Sequence, residues 1–215
     1  FGLASALSVI VLGDESGYAL TDNQKMKLAA IEAMWETEPA PAPFTAIGIP
    51  DIKERKTHFA IQIPWVMGLI GTRSIDKQIP GIDQLVAHAE ERIRNGVLAY
   101  DALEKMKANR DDGVARAAFS QHAADMGYAL LLKQYVPDPR QASEQQIKDA
   151  AWSTVPGVPW LFFGFRLMVL CGFLLLAVFA ISLWHTIRET EAPGWLFRMA
   201  LLAMPLPWLA IEIGW

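Results

Sequence analysis

The most hydrophobic stretch of the chain contains a single charged side chain and, two residues later, a thioether. Trp160 to Trp184 is long enough to cross a bilayer, and Arg166 is its only charged residue. An ionisable group at that depth is costly and marks by default a site where it meets a partner. Met168 offers a soft sulfur ligand for a metal. The pair suggests an anionic, metal-containing group beside this helix, such as a haem with its propionates. The alternative is that Met168 fills a packing gap and Arg166 snorkels to an interface.

A second pair of chemically active side chains lies near the N-terminal end of the chain. Lys27 and Glu32 are five residues apart, a spacing that does not make a helical salt bridge. Leu28, Ile31 and Trp35 form an apolar stripe at helical spacing, and Glu32 lies at its border. A carboxyl group in that position can have a raised pKa and exchange protons with a ligand. The alternative is an ordinary amphipathic helix with two surface charges.

The composition indicates membrane spans joined to a large polar insert. Hydrophobic residues make up 53% of the chain and charged residues 20%, which fits a mixture of apolar and polar segments better than one uniform globule. The net charge of −4 gives no electrostatic case for binding nucleic acid. Cys171 is the single cysteine, so a disulfide framework within the chain is excluded. Phosphate-binding glycine loops, paired-cysteine zinc motifs and nucleophile elbows are absent from the sequence.

We therefore expect an all-α fold, a polytopic transmembrane helical bundle with a large helical extracytoplasmic loop. The expected parts are the end of a transmembrane helix (1–12), a helical loop (13–159), a transmembrane helix (160–186), a cytoplasmic turn (187–194) and a further transmembrane helix (195–215). Arginines flank the short turn and weakly favour its cytoplasmic side, which would place the loop outside. Because both ends of the chain are apolar, we expect an internal piece of a longer polypeptide.

Periodicity predicts that the insert is mainly helical. Thr21 and Gln24 form a capping-box pattern that should begin a helix, after a turn relaxed by Gly17. Further helices are expected over about 83–107, over about 114–134 and just after Ser143, and the proline-rich residues 38–44 should form an extended connector.

Nine short motifs occur in an order that is similar to one membrane-protein family. They are GDESGY, KLAAIEAMWE, PAPF, FAIQIPW, GTRS, EERIRNG, GYALLLKQY, FRLMVLCGFLLL and PLPW. With them the chain closely resembles the second half of subunit I of bacterial cytochrome bd-type quinol oxidases, in the form with a long quinol loop. The resemblance covers essentially the whole chain.

The resemblance implies a set of haem cofactors. Met168 falls where the family has the methionine axial ligand of its low-spin haem b, of b558 type, and Arg166 falls on the arginine associated with that haem. Methionine ligation raises the potential of a haem, which suits an electron acceptor. Haem b595 and haem d would belong to the complete subunit, with ligands outside this chain.

The resemblance also assigns the insert to quinol oxidation. Lys27 and Glu32 match loop residues implicated in that reaction, as catalytic groups, and Asp14 and Arg73 match further residues near the same site. Glu32 would accept a quinol proton, and Lys27 would hold the developing negative charge on the quinol oxygen.

The implied protein is a quinol:oxygen oxidoreductase of the respiratory chain in the bacterial inner membrane. It would oxidise ubiquinol or menaquinol at the periplasmic face, where residues 13–159 lie, and reduce oxygen to water. Its implied partners are membrane lipid, subunit II and small accessory subunits. A redox-silent structural or sensory membrane subunit, with a helical external domain that binds a partner, is the alternative that the sequence leaves open.

Overall fold

The computed structural model describes residues 1–214, and the fold is all-α and polytopic, as the sequence predicts. The helices are α1 (Gly2–Asn23), α2 (Lys25–Glu32), α3 (Ile82–Ala108), α4 (Gly113–His122), α5 (Met126–Ala129), α6 (Glu144–Trp152), α7 (Val158–Ile187), α8 (Gly194–Ala203) and α9 (Leu206–Gly214). Two strands, β1 (Phe44–Asp51) and β2 (Lys56–Ile63), form an antiparallel hairpin, and Gly68–Thr72 is a single π-helical turn. The described residues separate into two compact units.

Three helical stretches are long and apolar enough to cross a membrane. They cover Gly2–Asn23, Val158–Ile187 and Gly194–Gly214. The last stretch comprises α8 and α9, which are separated at Met204 and Pro205 because proline supplies no backbone N–H to continue the helix. These stretches are mostly exposed within the chain itself, as expected for surfaces that face lipid.

The first unit contains residues 1–33, 38–79 and 157 onward. Its core lies where α2 and β1 pack against α7. Ala29 and Ala30 are fully buried, and Phe162 of α7 is the largest fully buried side chain within residues 1–214. Small alanines on α2 allow the two helices to approach closely.

The entry into α2 differs from the sequence-based expectation. Helix α1 runs without a turn through Gly17 to Asn23, and α2 has no side-chain cap at its start. Thr21 is buried and donates its hydroxyl to the carbonyl of Gly71 at 2.6 Å, so it is not available as a cap. Helix α2 ends at Glu32 because Ala33 adopts a left-handed conformation, so Trp35 lies beyond the helix that was expected to carry it.

The hairpin is an element that the sequence analysis did not predict. Strand β1 pairs with β2 from Phe44 opposite Ile63 to Asp51 opposite Lys56, with two register irregularities between them. Alternation of β-branched residues in THFAIQI is the signal that could have identified it. Residues 38–43, which precede β1, are not helical, in agreement with the expected connector.

The second unit contains residues 34–37 and 80–156, with α3 at its centre. Helix α3 confirms the prediction over 83–107, whereas the helix expected over 114–134 is broken into α4, α5 and short 3₁₀ turns. The backbone of Asp125 and Ala129 lies so close to Gly96 that a Cβ there would collide with it. Ser143 caps α6 through a complete capping box with Gln146.

Candidate functional site

Glu32 is a buried carboxylate at the C-terminal end of α2. Its side chain is 2% exposed, although the sequence places it only at the border of an apolar stripe. The surface-charge alternative is therefore wrong for Glu32. A buried carboxylate requires compensating partners, because removing a charge from water costs several kcal/mol.

Arg166 of α7 supplies the charge partner. Its Nη2 lies 3.1 Å from Oε2 of Glu32, and its side chain is 14% exposed. Arg166 is the eighth residue after the start of α7, about 12 Å along the helix axis. The two residues are 134 positions apart in the sequence, so the ion pair forms only through the tertiary fold.

Thr45 of β1 closes the arrangement through its backbone. Its carbonyl oxygen accepts a hydrogen bond from Arg166 Nε at 3.0 Å and a second one from Nη2. Its backbone N–H donates to the carboxylate of Glu32. Glu32, Arg166 and Thr45 thus form a closed ring of hydrogen bonds, which we call the Glu32–Arg166–Thr45 ring.

The donors of Arg166 are fully engaged with protein acceptors. Nη1 donates to the carbonyls of Ile31 at 2.9 Å and Phe162 at 3.0 Å, which brings the number of guanidinium hydrogen bonds to five. Five is the full donor capacity of an arginine side chain. A contact between Arg166 and a haem propionate would therefore require the exchange of one of these bonds.

Aromatic rings cover the guanidinium. Its central carbon lies 3.4 Å from the ring centroid of Phe162 and 5.3 Å from that of Phe44. Cation–π contacts of this kind are strongest where water is excluded. The rings therefore stabilise a cation at this position and hold the guanidinium plane in place.

Burial raises the pKa of Glu32 to about 7, in the direction expected from the sequence. The positive charge of Arg166, its hydrogen bond and the N–H of Thr45 lower the pKa and offset part of the effect of burial. A carboxyl group with a pKa near neutrality can both accept and release a proton under physiological conditions.

Lys27 lies on the same helix but outside the ring. It is half-buried one turn before Glu32, and its ammonium group has no ion pair within residues 1–214. The structure does not join Lys27 to Glu32, in agreement with their unfavourable spacing. Its charge is therefore free to meet a ligand.

Asp14 and Arg73 meet in a second cluster of the same unit. Nη2 of Arg73 lies 2.8 Å from Asp14 Oδ2 and 2.7 Å from Glu15 Oε1, and the guanidinium stacks over the ring of Tyr18 at 4.4 Å. Arg73 follows the π-helical turn with a left-handed φ of 50°, which aims its side chain at α1. All the charged groups of this cluster are substantially exposed, in contrast to Glu32.

Met168 is a half-buried thioether on α7, two residues beyond Arg166. A Cβ on Gly214 of α9 would lie 2.6 Å from its sulfur atom, so the missing side chain at Gly214 lets the sulfur pack directly against the α9 backbone. A soft thioether fits one axial position of a haem iron. In the described part of the chain, the only convergent group of possible metal ligands lies elsewhere, at Asp51, Glu54 and His58. Among the described residues, Met168 is thus a side chain that would hold a haem iron through its sulfur.

Sequence reasoning missed Thr45 and Phe44 as members of the site. Thr45 contributes backbone atoms, which carry no side-chain signature, and Phe44 lies in the unpredicted strand β1. Recognition of the hairpin alternation would have placed both residues on a strand next to the proline-rich connector.

Comparison with known proteins gives a consistent assignment along the whole chain. A family model described as cytochrome bd terminal oxidase subunit I matches residues 1–215. Cytochrome bd-II ubiquinol oxidase subunit 1 of Escherichia coli (strain K12) is 39% identical over 100% of this chain and 42% of that protein. Cytochrome bd ubiquinol oxidase subunit 1 of Bacillus subtilis (strain 168) is 23% identical over 100% of this chain and 34% of that protein. The chain thus spans less than half the length of these relatives.

Proposed function

Because the chain belongs to the cytochrome bd terminal oxidase subunit I family, we propose that it forms part of a terminal respiratory oxidase that takes electrons from quinol and reduces oxygen to water. The buried Glu32–Arg166–Thr45 ring is the observation that links this proposal to particular residues. It holds a carboxyl group of near-neutral pKa at the insert end of a transmembrane helix. Quinol oxidation releases protons, and a group of this kind is suited to accept them.

Glu32 is the proton acceptor in this proposal. A quinol hydroxyl would donate a hydrogen bond to the carboxylate and pass its proton to a Glu32 oxygen as the quinol is oxidised. Arg166 and the Thr45 N–H hold the carboxylate in one orientation, so the proton acceptor is already oriented when the quinol binds. The near-neutral pKa then allows Glu32 to release the proton toward the outer face.

Lys27 stabilises the negative charge that develops on the quinol oxygen. Its ammonium group is not neutralised by a partner within residues 1–214, so its full charge is available to a ligand. A positioned cation near a developing oxyanion is among the strongest contributions to catalysis. Asp14 and Arg73 are proposed to order the adjacent end of α1 at the same site.

We propose that Met168 would hold a low-spin haem b of b558 type through its sulfur. That haem supplies a one-electron acceptor of raised potential when bound. Arg166 then lies two residues from the ligand on the same helix and adds a positive charge beside it, once one of its present hydrogen bonds is exchanged. Haem b595 and haem d, which complete the route to oxygen, are proposed to have their ligands outside this chain.

The wider assignment follows from the family. We propose a multi-pass protein of the bacterial inner membrane, in contact with lipid, with residues 13–159 on the periplasmic side and 187–194 on the cytoplasmic side. Subunit II and small accessory subunits are its proposed protein partners, and either ubiquinol or menaquinol is the proposed electron donor.

Quinol-driven oxygen uptake by the complete oxidase tests the proposal. Glu32→Gln and Lys27→Ala should each reduce the rate by about 10²- to 10³-fold, the typical cost of losing a group that acts in the transition state. Exposed neighbours provide matched controls, Glu36→Gln for the carboxylate and Lys25→Ala for the ammonium group, and both should retain the wild-type rate.

Two further readouts separate loss of the quinol reaction from loss of the protein. Haem content should stay normal in Glu32→Gln and Lys27→Ala, and oxidation of an artificial donor that bypasses the insert should persist. Normal quinol oxidation in both variants would contradict the proposed roles. A complete oxidase that shows no reduced-minus-oxidised haem spectrum would contradict the oxidase assignment itself.

A further inference from the structure

Three side chains with metal-binding chemistry converge at the turn of the hairpin. Nε2 of His58 lies 3.4 Å from Oε2 of Glu54 and 3.9 Å from Oδ2 of Asp51. One ligand atom from each residue falls within 4.8 Å of the others. None of these residues belongs to the Glu32–Arg166–Thr45 ring, and the proposed function does not use them.

The fold brings these side chains together for a local reason. Strand β1 ends at Asp51, and His58 lies on β2 opposite Ile49, so the turn returns the imidazole to the same end of the hairpin. The Oδ1 atom of Asp51 accepts the backbone N–H groups of Lys53 at 2.7 Å and Glu54 at 3.1 Å. These bonds fix the carboxylate and leave Oδ2 directed toward His58.

The backbone hydrogen bonds also keep Asp51 ionised. They hold the pKa of its carboxyl group below its ordinary value, with a smaller contribution from the charges of His58 and Lys53. Oδ1 is occupied by these two hydrogen bonds, so Oδ2 is the oxygen that is available to an ion.

We propose that Asp51, Glu54 and His58 form a binding site for a divalent transition-metal ion of the Zn²⁺ class. Ligands of a tetrahedral zinc ion with bonds of about 2.0–2.1 Å are about 3.3 Å apart, close to the separations at His58. The imidazole selects a borderline metal over Ca²⁺ and Mg²⁺, which prefer oxygen ligands only. Water would occupy the fourth position.

The charges around the turn set the expected strength of the site. Lys53, Arg55 and Lys56 flank the ligands and disfavour the binding of a positive ion, and all three ligands are partly exposed. The site should therefore bind Zn²⁺ reversibly and should not be required for folding. In the absence of a metal, direct contact of His58 with the two carboxylates is the competing account of the same geometry.

Equilibrium dialysis of the complete oxidase against Zn²⁺, followed by elemental analysis, tests the proposal. The wild-type protein should bind one more Zn²⁺ than His58→Gln, and Glu54→Gln should weaken the same binding event by at least about tenfold. His88→Gln is the matched control because His88 is an exposed histidine on α3, and it should bind as the wild type does. Asp51→Asn is not used because Asp51 also orders the turn.

Two results would overturn the site. Equal Zn²⁺ binding by the wild type and His58→Gln, with normal haem spectra in both, would show that the geometry reflects ion pairing alone. Displacement of the bound Zn²⁺ by an equal concentration of Ca²⁺ would show a non-selective acidic surface. Glu54→Gln removes a different ligand of the same site, so the proposal can still be tested if His58→Gln fails to fold.

Discussion

Replacement of Arg166 by glutamine should raise the pKa of Glu32 further above its present value of about 7. Arg166→Gln removes both the positive charge beside the carboxylate and the hydrogen bond from Nη2. Glutamine can still donate to one of the backbone carbonyls that Arg166 now serves, but it carries no charge. Glu32 stays buried at the end of α2, so the effect of burial on its pKa is then opposed only by the Thr45 N–H.

The size of this shift follows from the strength of a buried, charged hydrogen bond. Such a bond contributes about 1.5–3 kcal/mol, and one pKa unit corresponds to about 1.36 kcal/mol. The pKa of Glu32 should therefore rise by about 1–2 units in Arg166→Gln. Because protonation removes the negative charge, the carboxylate fraction at pH 7 should fall from about one-half to between about one-tenth and one-hundredth.

Infrared titration and the pH–rate profile measure this change independently. The band of the protonated Glu32 carboxyl group, assigned by its loss in Glu32→Gln, should persist to a pH about 1–2 units higher in Arg166→Gln than in the wild type. The rate of quinol-driven oxygen uptake should rise with pH as Glu32 ionises in the wild type. The pH midpoint of this rise should be higher by the same amount in Arg166→Gln. An unchanged infrared midpoint in Arg166→Gln would refute the coupling between the two residues.

Three other substitutions test the remaining roles. Met168→Leu should keep α7 intact, because leucine is similar in volume to methionine. It should convert the low-spin haem b spectrum to high-spin or abolish it. An unchanged low-spin spectrum would contradict the ligand assignment. Lys27→Ala should lower kcat for quinol oxidation more than it raises KM, as measured by steady-state oxygen uptake, since its charge acts on the developing oxyanion. Arg73→Ala should leave haem content unchanged and alter the KM for quinol by no more than about fivefold, because the ion pairs of Arg73 are exposed. Complete loss of activity would contradict this limited role.

Local patterns in the sequence were sufficient for the fold class and for two features of the candidate site. The apolar runs predicted the spans, and a lone arginine within a span predicted a partner for Arg166. The position of Glu32 beside an apolar stripe predicted the direction of its pKa shift. Each of these inferences rests on residues that are close together in the chain.

The composition of the buried ring could not be predicted in the same way. Glu32 and Arg166 are 134 positions apart, and no periodic pattern connects them. Thr45 acts through its carbonyl and N–H, which every non-proline residue possesses, so its side chain gave no signal. The hairpin escaped prediction because its short alternation lies between strong helical patterns, and the register irregularities of β1 weaken that alternation further.

The most direct test of the central claim is the rate at which quinol reduces the low-spin haem when oxygen is absent. Stopped-flow mixing of the complete oxidase with quinol isolates this step from oxygen chemistry, and dithionite, which does not need the insert, provides the control reductant. We expect haem reduction by quinol to be about 10²- to 10³-fold slower in Glu32→Gln than in the wild type, with equal reduction by dithionite. Equal rates of reduction by quinol in the two proteins would show that Glu32 does not accept the quinol proton.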